Sequence, residues 1–362
     1  MHMLHTRRRH SFTMPELLIV RSVGLDISDQ SVKYAELVPS RGSLVLGRHG
    51  ALSFPEGVIV SGKVVDPAKL GTTLLALRTK EKIRAVRVSL PEEQVYVFRI
   101  RVTGVPYQNL RSAVELQLEE HIPIAVKDAV FDFDCVESHD DGFDVQVVAT
   151  SKDILDGYLK ALAIAELTPL SFELEAQALA RAVTPSGDTS TSMVIDFGAT
   201  RTGISIIHKG IVLFTSTIAV GGNGVTSAIS RALSISFDEA EKMKHAIGLS
   251  EREQNREAFG AMVGTLSALR DEINRSYTYW HTEKNDEGND RPRIESIVLS
   301  GGNANLPGLT EYLASSLRMP VATANPWVNI TDFSEYIPAI TKKEALAYAT
   351  AIGLALKDVE YE

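Results

Sequence analysis

The chain has 362 residues, a formal net charge of −9 and a single cysteine. Its length suits about two domains, and its acidic balance argues against nucleic-acid binding and direct adhesion to anionic lipid, which both need a basic face. One cysteine excludes an internal disulfide, and no run of about 18 apolar residues predicts a membrane-spanning helix.

The amino-terminal segment begins with a basic cluster, Arg7–Arg9. A signal peptide would continue with a long apolar core, whereas Pro15 and Glu16 interrupt the sequence here. We therefore predict that residues 1–18 form a disordered extension ahead of the first strand.

Turn residues separate short apolar runs in the first part of the chain, a pattern typical of strands joined by tight turns. The predicted elements are strands Val20–Ile27, Val32–Val38 and Leu44–Phe54, helix Pro67–Thr79 and strand Ile83–Leu90.

A second group of elements follows residue 90. Leu110, Val114 and Leu118 recur at helical spacing and predict a helix with one apolar face. Cys135 lies in an alternating, strand-like run, which predicts a buried structural thiol. The predicted elements are helix Gln108–His121, strands Val130–Glu137 and Phe143–Thr150, and helices Lys152–Ala165 and Phe172–Val183.

The segment 184–192 consists of turn-forming residues with no apolar side chain to bury, and it predicts a domain boundary. Strands and helices interleave on both sides of it, so the fold class is α/β with mixed sheets. The elements predicted after the boundary are strands Met193–Phe197, Thr202–Ile207, Ile211–Ile218 and Ile294–Leu299, and helices Val225–Leu233, 236–246, 262–280, Leu309–Leu317 and Glu344–Leu356.

The three strands after this boundary repeat the first three strands of the chain. When the two units are aligned, Asp26 falls on Asp196 and Ser28 on Gly198, and the two later turns coincide. An internal duplication of a three-strand unit indicates an architecture of two related halves.

Asp26 and Asp196 each lie at the end of a buried strand, just before a tight turn. A single carboxylate in such a place is usually a turn former. Two at equivalent places in a duplicated unit would share one cleft if the halves face each other. Such a pair suits Mg²⁺, which takes one or two protein carboxylates together with phosphate oxygens.

The turns after these aspartates offer backbone amides to an anion. Gly198 would let the chain approach a phosphate closely, and Thr200 and Thr202 add hydroxyl groups. Ser28 occupies the matching place in the first copy. Lys33 follows that turn, where it would either reach a phosphate or remain a solvated strand lysine.

Glycines at two other junctions allow a flat ligand to lie against bare backbone. Gly301 and Gly302, followed by Asn303, come directly after a predicted strand. Gly221 and Gly222 have a similar place before a predicted helix.

Three charged side chains remain open to two interpretations. Glu175 would either orient a water at a terminal phosphate or, with Glu173, supply negative charge to a helix amino terminus. Glu241 and Lys244 would either touch a nucleoside or form an ion pair on a helix surface. The Walker A, zinc-protease and serine-hydrolase motifs are absent from the sequence.

Four spans together resemble the actin-like ATPase superfamily: Gly24–Lys33, Asp196–Thr202, Leu299–Gly308 and Glu344–Leu356. Within it, GLDISDQSVKYAEL, AVELQLEEHIPIAVKDAVFDFD, ELEAQALARA, GIVLFTSTIAVGGNGVTSAIS and EALAYATAIGLALK resemble the PilM family of type IV pilus assembly proteins. The second stretch falls where PilM and the division protein FtsA carry a small inserted subdomain. The resemblance runs from about Val23 to Lys357.

The resemblance implies an actin-like (ribonuclease H-like) two-domain fold with duplicated mixed sheets. The expected divisions are the extension 1–18, the first part of domain I over 19–90, an inserted partner-binding subdomain over 91–166, a domain I helix over 167–184, domain II over 185–340, and a carboxyl-terminal helix over 341–362 that returns to domain I.

The resemblance also implies ATP and Mg²⁺ in the interdomain cleft, with weak hydrolysis at most. The protein would be cytoplasmic and would be recruited to the inner membrane by the amino-terminal tail of a PilN-like bitopic protein, docked on the inserted subdomain. No nucleic acid and no direct membrane insertion are expected, and a homo-oligomer is left open. The expected site residues are Asp26 and Asp196 at the metal, Glu175 as the catalytic group, and Ser28, Lys33, Gly198, Thr200, Thr202, Gly221, Gly222, Lys244, Gly301, Gly302 and Asn303 around the nucleotide.

The sequence departs from the family pattern at the first phosphate turn. Family members usually have glycine followed by serine or threonine there, whereas Ser28 and Asp29 follow in this chain. Asp29 would place negative charge near a phosphate and weaken nucleotide binding and turnover.

Two other functions remain as alternatives. A small-molecule kinase of the same fold needs a carboxylate base within reach of a substrate hydroxyl, but segment 91–166 suggests a partner-binding subdomain. A filament-forming division protein like FtsA typically ends in an amphipathic membrane helix, whereas this sequence ends with the acidic run 358–362. Secretion and competence systems with related proteins stay open besides pili.

Overall fold

A computed structural model describes residues 22–40, 43–249, 251–284, 288–330 and 336–357. The predicted disordered extension, residues 1–18, lies outside these ranges. Within the described ranges, the strands are β1 (Val23–Ile27), β2 (Ser31–Ser40), β3 (Ser43–Ser53), β4 (Ile59–Val60), β5 (Lys63–Val64), β6 (Ala85–Leu90), β7 (Val95–Thr103), β8 (Ala129–Ser138), β9 (Gly142–Ser151), β10 (Thr168–Leu174), β11 (Thr191–Phe197), β12 (Thr202–His208), β13 (Ile211–Ile218), β14 (Ser296–Ser300) and β15 (Val321–Thr323). The α-helices there are α1 (Pro67–Glu81), α2 (Leu110–His121), α3 (Lys152–Ile164), α4 (Glu175–Val183), α5 (Gly222–Leu233), α6 (Phe237–Ile247), α7 (Arg256–Thr282), α8 (Leu309–Leu317), α9 (Lys342–Ala345) and α10 (Ala349–Leu356).

Two five-stranded sheets have the same topology. Their strand orders are β10-β6-β1-β2-β3 and β13-β12-β11-β14-β15. In both, the first strand is central, pairs antiparallel with the next strand and pairs parallel with a later one. The duplication predicted from sequence is therefore present in the fold, and it places Asp26 on β1 and Asp196 on β11 at matching positions.

The central strands are apolar because both of their faces are covered. All five residues of β1 are buried, as expected of a strand with parallel pairing in a layered α/β fold. One covering element is α10, which approaches so closely that a Cβ on Gly24 would lie 1.9 Å from the carbonyl oxygen of Ala351. On its other side, a Cβ on Gly353 would lie 1.8 Å from the carbonyl oxygen of Ala178 in α4. The end of the described chain thus packs on the first sheet.

A third sheet, ordered β7-β9-β8, packs with α2 around a separate apolar core. Leu110, Val114 and Leu118 of α2 are fully buried there, which confirms the predicted apolar face. Strand β7 was not predicted. The buried side chains of α3, such as Tyr158, belong instead to the large core shared by the two main sheets. The segment with its own core therefore ends near Ser151, and it is shorter than the predicted subdomain 91–166.

Two local predictions are wrong. Phe172 does not begin a helix, because Thr168–Leu174 pairs in parallel with β6 as the edge strand β10, and α4 starts only at Glu175. Pairing with a distant strand overrode the local preference. Cys135 is exposed and not buried, because a register shift after it disrupts the alternation of the edge strand β8.

Candidate functional site

A cavity lies between the two main sheets, where the carboxyl ends of β1 and β11 meet. Within the described ranges, it is lined by Asp26, Ser28, Gln30, Ser31, Lys33, Glu92, Glu175, Asp196, Gly198, Ala199, Thr200, Arg201, Gly203, Thr217, Gly301, Gly302, Asn303, Leu346, Ala347 and Thr350. Most residues predicted from the sequence are in this set, and Thr202, Gly221, Gly222 and Lys244 are not.

The two aspartates face the cavity from opposite halves. Asp26 is 8% exposed, accepts a hydrogen bond of 3.2 Å from the Ser89 hydroxyl and lies 3.8 Å from the Lys33 ammonium nitrogen. Burial, with a contribution from the Asp26 charge, raises the pKa of Asp196 to about 6, although Lys33 and Arg201 act in the opposite direction. A carboxyl such as that of Asp196, whose ionisation is opposed by burial and by a neighbouring negative charge, is a favourable place for a cation.

The turn after β11 is hydrogen-bonded to the start of α5. The amides of Gly222 and Asn223 donate to the carbonyl oxygens of Gly198 and Ala199 at 2.9 and 2.8 Å. A Cβ on Gly221 would lie 2.4 Å from the Ala199 carbonyl oxygen. Gly221 and Gly222 thus allow close backbone packing beneath the turn and are not among the residues that line the cavity, so their contact with a nucleotide stays a prediction.

Thr202 also supports this turn and does not face the cavity. Its side chain is fully buried, and its hydroxyl donates to the carbonyl oxygen of Val220 at 2.5 Å. The alternation of β12 turns Thr202 inward, whereas Thr200, in the turn itself, lines the cavity.

Gly301 allows the strand β14 to pass directly beside Asp196. Its φ is +86°, and a Cβ there would lie 2.5 Å from Oδ1 of Asp196 and 2.6 Å from the carbonyl oxygen of Phe197. Only glycine combines this backbone conformation with this closeness. Gly302 continues the bare backbone wall, opposite Leu346 and Ala347.

Lys244 reaches the site from behind Asn303. It is 2% exposed, donates to Oδ1 of Asn303 at 2.9 Å and pairs with Glu241 at 2.8 Å. Asn303 in turn donates to the Gly198 carbonyl oxygen at 2.9 Å. Lys244 therefore forms the predicted ion pair with Glu241, but from a buried position that supports a cavity residue, and its contact with a nucleoside stays a prediction.

Glu175 lines the cavity as the first residue of α4, next to a carboxyl group that was not predicted. This group is Glu92, which follows β6 and lines the same cavity. Burial, with the charges of Asp196 and Glu93, raises the pKa of Glu92 to about 7. Burial, Glu92 and Asp26 raise the pKa of Glu175 well above its usual range. Glu92 comes just after the buried strand β6, much as Asp26 and Asp196 lie at the ends of their strands. A search for carboxylates at the ends of buried strands would therefore have found it.

The Asp29 carboxylate is hydrogen-bonded to other groups of the protein. Its Oδ1 accepts from the amide of Gly62 at 3.0 Å, and both of its carboxylate oxygens lie 3.3 Å from Nη1 of Arg201. The same nitrogen donates to Glu93 at 2.7 Å. The expected repulsion between Asp29 and a phosphate is thus offset by an arginine from the opposite half, and no sequence signal marked Arg201.

The donor set fits a hydrated magnesium ion and an anionic ligand. Carboxylate oxygens from Asp26 and Asp196 are hard ligands of the kind Mg²⁺ prefers. The buried hydroxyl of Thr217, which also lines the cavity, has no hydrogen-bond partner among the described residues. Such a group gains stability only from water or a ligand in the cavity.

Comparison with known proteins gives a family match over nearly the whole chain. The profile of the family described as Type IV pilus assembly protein PilM matches residues 24–359. The cell division protein FtsA of Staphylococcus epidermidis is 23% identical over 357 residues, which cover 90% of this chain and 68% of that protein. FtsA of Enterococcus hirae is 26% identical over 331 residues, which cover 80% of this chain and 74% of that protein.

Solved structures give the same picture. A chain in a PilM-PilN type IV pilus biogenesis complex matches with a TM-score of 0.78 and 25% identity, covering 95% of this chain and 100% of that one. MreB 5 of Spiroplasma citri bound to AMPPNP matches with a TM-score of 0.52 and 13% identity, over 91% and 93% of the two chains. The fold is therefore actin-like. None of the helices in the described part of the chain has the length and apolar character needed to cross a membrane.

Proposed function

Because this chain belongs to the family of type IV pilus assembly proteins PilM, we propose that it is an actin-like adaptor of a type IV pilus or a related secretion or competence machine. It binds ATP and Mg²⁺ in the cleft between its halves and acts at the inner face of the cell membrane through a PilN-like protein. The observation that carries the nucleotide site is the presence of Asp26 and Asp196, at matching positions of duplicated sheets, on one cavity.

Each wall of the cavity has a distinct part in this proposal. Asp26 and Asp196 hold Mg²⁺, which when bound neutralises phosphate charge. The turns that carry Ser28, Gly198 and Thr200 offer amides and hydroxyls to the phosphates. The bare backbone at Gly301 and Gly302 faces the nucleoside. MreB 5, which shares the fold, was solved with AMPPNP.

Hydrolysis is weak or absent in this account. Glu175 is the group that would orient a water at the terminal phosphate. Burial raises the pKa of both Glu175 and Glu92, so this pair of carboxyls keeps a proton near neutral pH. A protonated carboxyl is a poor base, so the nucleotide acts mainly as a conformational ligand that stabilises one arrangement of the cleft.

The partner is the cytoplasmic tail of a PilN-like membrane protein, and its docking site is the inserted subdomain. PilM and PilN form a complex in the similar solved structure. In this chain, the subdomain has its own core and exposes large apolar side chains, with Tyr107 62% and Leu116 83% exposed. Exposed apolar groups contribute to recognition when a partner buries them.

Capture on an immobilised peptide tests this part of the proposal. The peptide carries the amino-terminal tail of a PilN-like protein encoded in the same genome, and a scrambled peptide is its control. We expect the wild-type protein to be retained and Leu116→Ser to be retained less. Ile337→Ser, which changes a side chain 82% exposed outside the subdomain, serves as the matched variant. No retention of the wild-type protein would contradict the partner.

The similarity to FtsA makes a filament-forming protein the second candidate. Sedimentation with Mg²⁺-ATP separates the two, because a filament collects in the pellet and a monomeric adaptor stays in the supernatant. We expect no pellet that depends on the nucleotide.

A further inference from the structure

Arg201 is a cation of the cleft that the proposed function does not use. It lies in the turn after β11, and its side chain is 13% exposed. All three of its bonds to Asp29 and Glu93 involve the single nitrogen Nη1. These two carboxylates belong to the first half and to the start of the inserted segment, so Arg201 spans the cleft.

The other edge of the guanidinium is available to a ligand. Nε and Nη2 make no hydrogen bond to any residue in the described ranges, and Arg201 lines the cavity. Arginine carries five N–H donors in a rigid planar fork, which matches the oxygens of a phosphate group. Asp29 and Glu93 fix one nitrogen and thereby hold the remaining donors in place.

Arg201 lies at one end of the cavity. Although burial opposes its charge, the carboxyls of Glu175, Glu93, Asp29 and Glu92 together raise the pKa of Arg201. Glu175 is the largest of these favourable contributors. Because Arg201 also pairs at 2.7 Å with Glu93, the chain neighbour of Glu92, it lies at the end of the cavity where Glu92 and Glu175 are. The proposed function places the terminal phosphate there, with the nucleoside against Gly302.

We propose that Arg201 binds the terminal phosphate of a nucleoside triphosphate and makes the site prefer triphosphates to diphosphates. Asp29 and Glu93 are positioning residues that orient its guanidinium. The inference rests on the proposed nucleotide site and adds the residue that sets its specificity. It also gives a role to Asp29, the residue at which the chain departs from its family.

The test compares the affinities for Mg²⁺-ATP and Mg²⁺-ADP by calorimetric titration. We expect Arg201→Gln to weaken ATP binding roughly ten- to a hundredfold, as for a lost charged hydrogen bond, and ADP binding by less than about threefold, since ADP lacks the contacted phosphate. Arg201→Lys keeps the charge but loses the planar fork of donors, so its preference for ATP over ADP should lie between those of wild type and Arg201→Gln. Arg231→Gln, on the exposed face of α5, is the matched control.

A triple variant controls for misfolding caused by unpaired charges. Removing Arg201 alone leaves Asp29 and Glu93 without their cation, whereas Asp29→Asn with Glu93→Gln and Arg201→Gln leaves no charge on any of these three paired residues. The triple variant should also lose the preference for ATP. If wild type binds both nucleotides and the ratio of affinities is unchanged in Arg201→Gln and in the triple variant, the role of Arg201 is wrong and the nucleotide site stands. If wild type binds neither nucleotide, the proposed function fails, and this inference fails with it.

Discussion

Glu92, which follows β6, and Glu175, the first residue of α4, line the same cavity, and the charge of Glu92 is the largest contribution after burial that raises the pKa of Glu175. A buried carboxyl pair of this kind retains a proton that the unfolded chain would release. The site therefore holds protons near neutral pH unless a cation or a mutation changes its charge.

The first prediction concerns Glu92→Gln and pH. The native state keeps a proton on Glu92 up to a pKa of about 7, against 4.5 in the unfolded chain, so wild type loses stability as the pH rises through this interval. The variant avoids this loss. We expect it to be more stable than wild type at pH 8, by at most roughly 3 kcal/mol, with little difference at pH 4.5.

Urea unfolding at the two pH values measures this difference. Glu115→Gln, on the exposed side of α2, removes a carboxylate without a buried neighbour and should show no such trend. A Glu92→Gln variant that is equally destabilised at both pH values would show that the carboxyl pair does not hold the proton.

The second prediction concerns Gly301→Ala. A non-glycine residue at positive φ costs about 1–2 kcal/mol, and here the added Cβ also meets Asp196 and Phe197 at 2.5 and 2.6 Å. Gly210→Ala has a similar φ of +76° with open space around it. We expect Gly301→Ala to lower the free energy of unfolding more than Gly210→Ala does and to abolish Mg²⁺-ATP binding. Equal effects of the two substitutions would contradict the close approach.

The third prediction concerns the buried lysine behind Asn303. Lys244→Met removes the ammonium donor that Asn303 and Glu241 share, and we expect it to lower the free energy of unfolding by about 2–4 kcal/mol. It should also weaken nucleotide binding without touching the ligand, because Asn303 loses its orientation. His245→Gln removes the exposed partner of the same Glu241 and should change both quantities little. Unchanged nucleotide affinity in Lys244→Met would remove Asn303 from the site.

Much of this site could be predicted from the sequence because the duplication marks it twice. Strand ends after buried apolar runs located Asp26 and Asp196, and the glycines at 301 and 302 marked the close backbone. Such signals are local: a strand, a turn and a residue type. They identify which segments line the cavity.

The remaining features depend on contacts between distant segments. Thr202 and Lys244 have side chains that could bind a phosphate, but both are buried. The Thr202 hydroxyl donates to Val220 beneath the turn, and Lys244 donates to Asn303. The partners of Arg201 are 108 and 172 residues away in sequence. The edge strand β10 exists only by pairing with β6. A single sequence does not encode these pairings in any local pattern.

The central claim is that the cleft between the halves holds a nucleotide with Mg²⁺ on Asp26 and Asp196. Calorimetric titration of Asp196→Asn with ATP, with and without Mg²⁺, tests it most directly, alongside wild type and Asp238→Asn, an exposed change on α6. We predict binding that requires Mg²⁺ in wild type and Asp238→Asn, and at least a tenfold loss in Asp196→Asn, about the effect of one lost charged contact. Mg²⁺-dependent binding of equal strength in all three proteins, or no binding by wild type, would contradict the account.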